Sequence, residues 1–105
     1  MSSVEVRIIG LANRTDSIRE RLPFAVVEGG DVVIRSQLKP SQPLNDHLVW
    51  LWGMLKLQRR FLKNLQREGG QLRCFARVPK GGASLLPNGA EMLHLLGMEL
   101  VLENR

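Results

Sequence analysis

The side chains with chemistry to offer are His47, His94, Cys74 and a few carboxylates, and their spacing decides what they can do. A metal centre needs several His, Cys, Asp or Glu side chains converging on one ion. His47 stands at the start of one helical pattern and His94 inside another, and neither has a cysteine or carboxylate cluster at ligand spacing. Cys74 falls on the inward phase of a strand pattern, where a thiol acts as a small hydrophobe and its pKa rises, the reverse of what a nucleophile needs. The run PKGGAS, Pro79 to Ser84, inverts the order of a phosphate-binding loop and lacks its Gly-Lys-Ser/Thr ending, so it reads as a turn. Asp46, Glu68 and Glu91 lie at element ends, where capping and helix-dipole effects account for them, and none pairs for acid–base work. The expectation is a non-enzymatic chain with no catalytic residue, no metal site and no cofactor.

Charge offers a different chemistry. The formal net charge is +5 and the pI about 10.4, a balance suited to nucleic acid or another anionic surface. Lys56, Arg60, Lys63 and Arg67 recur at i, i+4, i+7 and i+11 and form a basic helix stripe. They could neutralise phosphates along a backbone, or serve as an ordinary solvated helix face. Arg7, Arg35, Arg73 and Arg77 fall on the outward phase of strands, together with Val33 and Phe75. An open sheet of this kind could stack bases and hold phosphates. RNA-recognition sheets use two or three aromatics, however, and LRCFARV brings only Phe75; cross-strand pairs with carboxylates such as Glu5 account for the same arginines.

The elements that must position these residues follow from periodicity. Val4 to Ile9 alternates as a half-buried strand, and a short helix capped by Thr15 or Asp16 ends at Pro23. Phe24 to Val27 and Asp31 to Leu38 make a hairpin across Glu28-Gly29-Gly30. After a connector with two prolines, Lys39 to Pro43, one long helix runs from Leu44 or Asn45 to Gly69-Gly70. Gln71 to Val78 is a strand with Leu72, Cys74, Ala76 and Val78 inward. Asn88 with Glu91 resembles a capping box for a helix through Leu96, and Met98 to Leu102 is the last strand. The order β-α-β-β-α-β-α-β predicts a single α+β domain over 1–105, a two-layer sandwich of a mixed or antiparallel sheet with helices on one face.

The long helix carries more apolar residues than one core needs. Leu48, Leu51, Trp52, Leu55 and Leu62 share a sector that can lie on a sheet, while Trp50, Met54, Leu57 and Phe61 share a nearly opposite one. That second sector can be covered by the chain itself, by a twofold-related copy, or by a different protein. It makes these four residues the candidate protein interface.

The segment from Pro43 to Asn104 resembles the C-terminal part of the bacterial family known as domain of unknown function 4279. The residues that carry the likeness are Pro43, Leu44, His47 and Leu48 opening the long helix, Leu65 and Gly69 at its exit, and Leu86, Pro87, Leu96 and Gly97 around the last one. The resemblance implies an uncharacterised α+β domain, some members being expected beside toxin genes, with no catalytic residues to inherit.

The lone cysteine, the charges at Glu5 and Arg7, and the Lys56 break in the longest apolar run, Leu48 to Leu57, predict a cytoplasmic protein with no membrane insertion. The reading is a binding or interaction module acting as a homodimer or through a protein partner. The alternatives are a nucleic-acid-binding module using the basic helix face and an immunity-type protein that neutralises a toxin.

Overall fold

Alternation along the strands sets the architecture. Strand β1 (Ser3–Ile9) sends Val4, Val6 and Ile8 to one side and Glu5, Arg7 and Ile9 to the other. The computed structural model describes residues 2–104, with only the backbone of Asn104, and places β1 at the centre of a five-stranded mixed sheet. Helix α1 (Thr15–Arg21) follows a 3-10 turn over Ala12–Arg14. Strands β2 (Val26–Glu28) and β3 (Asp31–Arg35) form the hairpin, turning at Gly29 and Gly30, whose φ angles of 59° and 83° are the left-handed pair a tight turn requires.

After the connector come α2 (Leu44–Leu55), a 3-10 turn over Lys56–Gln58, and α3 (Arg59–Arg67). Strand β4 (Gln71–Val78) pairs antiparallel with β1. Strand β5 (Glu99–Asn104) pairs parallel with β4, and α4 (Pro87–Leu95) supplies the crossover that a parallel pair needs. The sheet order is β2-β3-β1-β4-β5.

All four helices cover one face of the sheet. Ile18 and Leu22 by α1, Leu48, Leu51 and Leu55 of α2, Leu62 and Leu65 of α3, and Met92 and Leu96 by α4 form one cluster with Val6, Ile8, Ile34, Cys74 and Ala76. Burial of each large side chain is worth about 1.5–3 kcal/mol, which makes this cluster the main support of the α+β sandwich.

The strand ends shift from the sequence reading, since β2 is Val26–Glu28 and not Phe24 to Val27, β3 ends at Arg35 and not Leu38, and β5 runs Glu99–Asn104 and not Met98 to Leu102. Two larger local features differ as well. The expected single helix is interrupted at Lys56–Gln58. A 3-10 segment advances about 120° per residue where an α-helix advances about 100°, so a three-residue segment turns everything after it by an extra ~60°. That rotation carries Phe61 and Leu65 toward the sheet. The second difference lies in α4, which starts at Pro87 with no side-chain cap, so Asn88 and Glu91 make no capping box. Asn88 instead accepts a hydrogen bond from Asn45.

Candidate functional site

Two of the reactive side chains, Cys74 and His47, are buried within the fold. Cys74 is fully buried, and the loss of solvent pushes its thiol up to about 12, with Glu5 adding to the shift. His47 is 1% exposed, and its Nδ1 lies 2.6 Å from Ser36 Oγ, pinning α2 to the residue that follows β3. Its Nε2 is buried without a hydrogen bond. Burial holds the imidazole below its ordinary pKa, and the carbonyls of Gln42 and Lys39 and the Asp46 carboxylate offset this only in part. His94 is exposed on α4, far along the chain from His47. Among the described residues, no three His, Cys, Asp or Glu side chains come together as metal ligands.

The open face of the sheet gathers Arg7, Arg35, Arg73 and Arg77, as the alternation requires. Each is matched by a carboxylate. Arg7 reaches Glu5, Asp31 at 3.5 Å and Glu28 at 3.7 Å. Arg35 clamps Glu28 with two guanidinium nitrogens and lies 3.5 Å from Glu5. Arg77 is 3.2 Å from Glu103 and Arg73 is 3.8 Å from Glu99. The hydrogen bond from Arg35 holds the Glu28 carboxyl below its usual range, and Glu5 raises Arg7 further. Four arginines thus meet five carboxylates, leaving this face close to neutral and slightly acidic. A concavity of about 590 Å³ lies here, over Glu5, Arg7, Arg35, Phe75 and Arg77. Its guanidinium groups are already occupied, and Phe75 is its one aromatic. Val33 also faces this way yet is fully buried, flanked in register by Arg7 and Val26, because arginine stems cover apolar surface.

The helical side presents two surfaces in succession. Opposite its buried stripe, α2 turns out Asp46, Val49, Gly53 and Met54, with Trp50 half-buried beside them, and the stripe ends on Leu57. Leu57 is 88% exposed, the most exposed large apolar side chain of the described residues. Trp50 and Phe61 pack against the core cluster, whereas Met54 and Leu57 do not. The proposed interface quartet therefore divides into two side chains the fold partly covers and two it leaves to solvent. Phe61 has a further partner that the sequence reading missed: the Arg21 guanidinium sits 5.1 Å from its ring centroid, a cation–π contact that ties α1 to α3.

From the 3-10 turn onward the outward face becomes basic. Lys56, Arg59, Arg60, Lys63 and Arg67 are all exposed. The ~60° rotation at the turn swings Arg60, Lys63 and Arg67 into line with the outward face of α2, so the apolar and basic stripes run end to end instead of side by side. The two basic groups foreseen in the sequence lie on opposite faces of the sandwich and do not merge.

Asn45 is the other residue the sequence reading passed over. It is 7% exposed, its Oδ1 accepts from the Leu86 N–H at 2.9 Å, and its Nδ2 donates to Asn88 Oδ1 at 2.9 Å. Its place on the inward phase, beside Leu44 and Leu48, was the available signal. No helix among the described residues is long and apolar enough to cross a membrane. Comparison with known proteins adds no relative: no family model, no curated protein and no solved structure matches the chain.

Proposed function

We propose that this chain is a binding module with no reaction of its own, and that it works as a symmetric homodimer joined through the outward face of α2. The observation that carries this reading is the stripe itself: its outward-facing residues Val49, Trp50, Gly53, Met54 and Leu57 are all uncharged, Lys56 is the one exposed charge between Val49 and Leu57, and Leu57 is 88% exposed. Asp46 marks one end of the stripe, and Lys56 and Arg60 mark the other. A face that is acidic at one end and basic at the other is complementary to itself when two copies lie antiparallel, the arrangement a twofold axis produces. Gly53, near the middle, has nothing within 4 Å of where a β-carbon would stand, so a second helix can approach its backbone closely. Glycine inside a helix costs roughly 0.5–1 kcal/mol relative to alanine, a cost that close helix contact offsets.

Met54 and Leu57 supply the contact in this arrangement, Trp50 contributes its exposed edge, and Phe61 lies at the margin beneath Arg21. The test is the mass in solution by light scattering, comparing the native chain with Met54→Glu plus Leu57→Glu. Both side chains are exposed, so the substitutions spare the core. A native dimer and a folded monomeric variant support the reading. A native monomer at high concentration, or a variant that remains dimeric, overturns it.

A further inference from the structure

Segment 56–67 contains Lys56, Arg59, Arg60, Lys63 and Arg67 and no acidic residue, so it holds five positive charges, as many as the +5 net charge of the whole chain. None of the five forms an ion pair among the described residues, although every arginine of the open sheet face does. The fold neutralises one basic group and leaves the other in water.

We infer that the ridge from Lys56 to Arg67 binds the phosphate backbone of a nucleic acid without reading its bases. This goes beyond dimerisation: Lys56 and Arg60 stand at the boundary of the two surfaces, and Arg59, Lys63 and Arg67 are residues the dimer does not use. Three residues of 3-10 helix and nine of α-helix extend roughly 18 Å, long enough to follow several phosphates along a strand. Segment 56–67 offers no free ring for base stacking, since Phe61 is half-buried and capped by Arg21, and the His94 imidazole beside it is a single ring, so contact is mainly with the backbone. Helix α4 widens the surface: His94 shares with Lys63, Gln66 and Arg67 a shallow depression of about 520 Å³. The nearby acids are Glu91, one turn before His94, and Glu68, which Arg14 already holds. An anionic lipid surface fits less well, because helices that lie in a bilayer interface bury an apolar face there, and of the apolar side chains of α3, Leu62 and Leu65 are in the core and Phe61 is half-buried under Arg21.

The experiment is fluorescence anisotropy with a labelled mixed-sequence duplex DNA over a range of salt concentrations, with phosphatidylserine vesicles as a parallel probe. Five phosphate contacts give a slope of log affinity against log salt of roughly −4 to −5. Lys63→Glu plus Arg67→Glu lowers affinity by about tenfold or more and flattens the slope by roughly 2, while Arg73→Glu plus Arg77→Glu changes neither. Lys63→Gln plus Arg67→Gln flattens the slope in the same way and guards against a folding defect in the charge-reversed pair. Absence of binding at low salt, binding indifferent to the Lys63 and Arg67 changes, or capture by vesicles and not by DNA overturns the inference. Measured on the monomeric Met54→Glu plus Leu57→Glu variant, backbone binding persists, which keeps this result separate from the question of dimerisation.

Discussion

The side-chain amide of Asn45 fills the space that a β-carbon on Gly89 would occupy, so α2 and α4 meet through one buried amide and one bare stretch of backbone. The same amide holds the Leu86 N–H and the Asn88 side chain, fixing the exit of the Pro79–Leu86 loop and the first turn of α4. Gly89→Ala is expected to cost about 1–3 kcal/mol by overpacking, and Asn45→Ala about 1 kcal/mol by removing the acceptor of the part-buried Leu86 N–H and the donor to Asn88. Because truncating Asn45 opens the space that the added methyl group needs, the double variant should lose clearly less than the sum. Urea unfolding of the four proteins checks this; simple additivity would contradict the contact.

His47 makes stability depend on pH. Burial keeps its folded-state pKa below the ordinary 6.5, so the unfolded chain takes up a proton before the folded chain does. Its stabilising contribution is whole above about pH 7 and is lost progressively as pH falls below about 6.5. The midpoint of urea unfolding should be level from mildly alkaline pH to neutrality and then decline toward about pH 5.5, and His47→Gln should remove part of the decline. A midpoint that rises on acidification would refute the assignment.

Cys74 should resist thiol reagents in the native protein. A thiol pushed up to about 12 and closed off from solvent carries almost no thiolate at neutral pH. Modification by an aromatic disulfide is expected only at the rate of opening, and to accelerate sharply in urea. Rapid labelling of the folded chain would mean that β4 is not sealed beneath the helices.

The paired arginines of the sheet should differ in weight. Arg7 engages three carboxylates and is only partly exposed, whereas Arg73 meets Glu99 alone in an exposed pair. Arg7→Ala is expected to cost about 1 kcal/mol and Arg73→Ala under about 0.5 kcal/mol, since isolated surface pairs contribute little. High salt should shrink the difference. Equal effects would mean that the three-carboxylate arrangement adds nothing.

The strands were readable because a period of two leaves little ambiguity: β4 occupies Gln71–Val78, with Leu72, Cys74, Ala76 and Val78 inward as the alternation requires. The landmarks of the resemblance also have plain physical roles here. Pro43 precedes α2, His47 and Leu48 are buried, and Gly69 and Gly97 take left-handed φ angles of 100° and 57° at helix exits. The break at Lys56–Gln58 was hidden because Lys, Leu and Gln are good helix formers and no glycine or proline marks it. A trace of it was present all the same: Leu65 falls off the stripe of Leu48, Leu51 and Leu55 in a straight helix, and only an added twist brings it to the core. Asn45 escaped notice because its partners lie across the sheet crossover, and no local pattern reports a contact so distant in the chain.

Placing β1 in the middle of the sheet has a consequence for how the chain is made. Val6 pairs on one side with Ile34, which emerges soon after it, and on the other with Cys74, which emerges only after the whole connector and both long helical segments. A nascent chain can close the β2-β3-β1 part of the sheet early, but one flank of β1 stays without a hydrogen-bonding neighbour until β4 arrives. An open strand flank is an invitation to another nascent chain, and late, non-local pairing prolongs the exposure. Glu5 and Arg7, alternating with the valines of β1, keep charge on the outer face of that strand during the wait, and charged side chains on an open strand are of the kind that discourages such pairing.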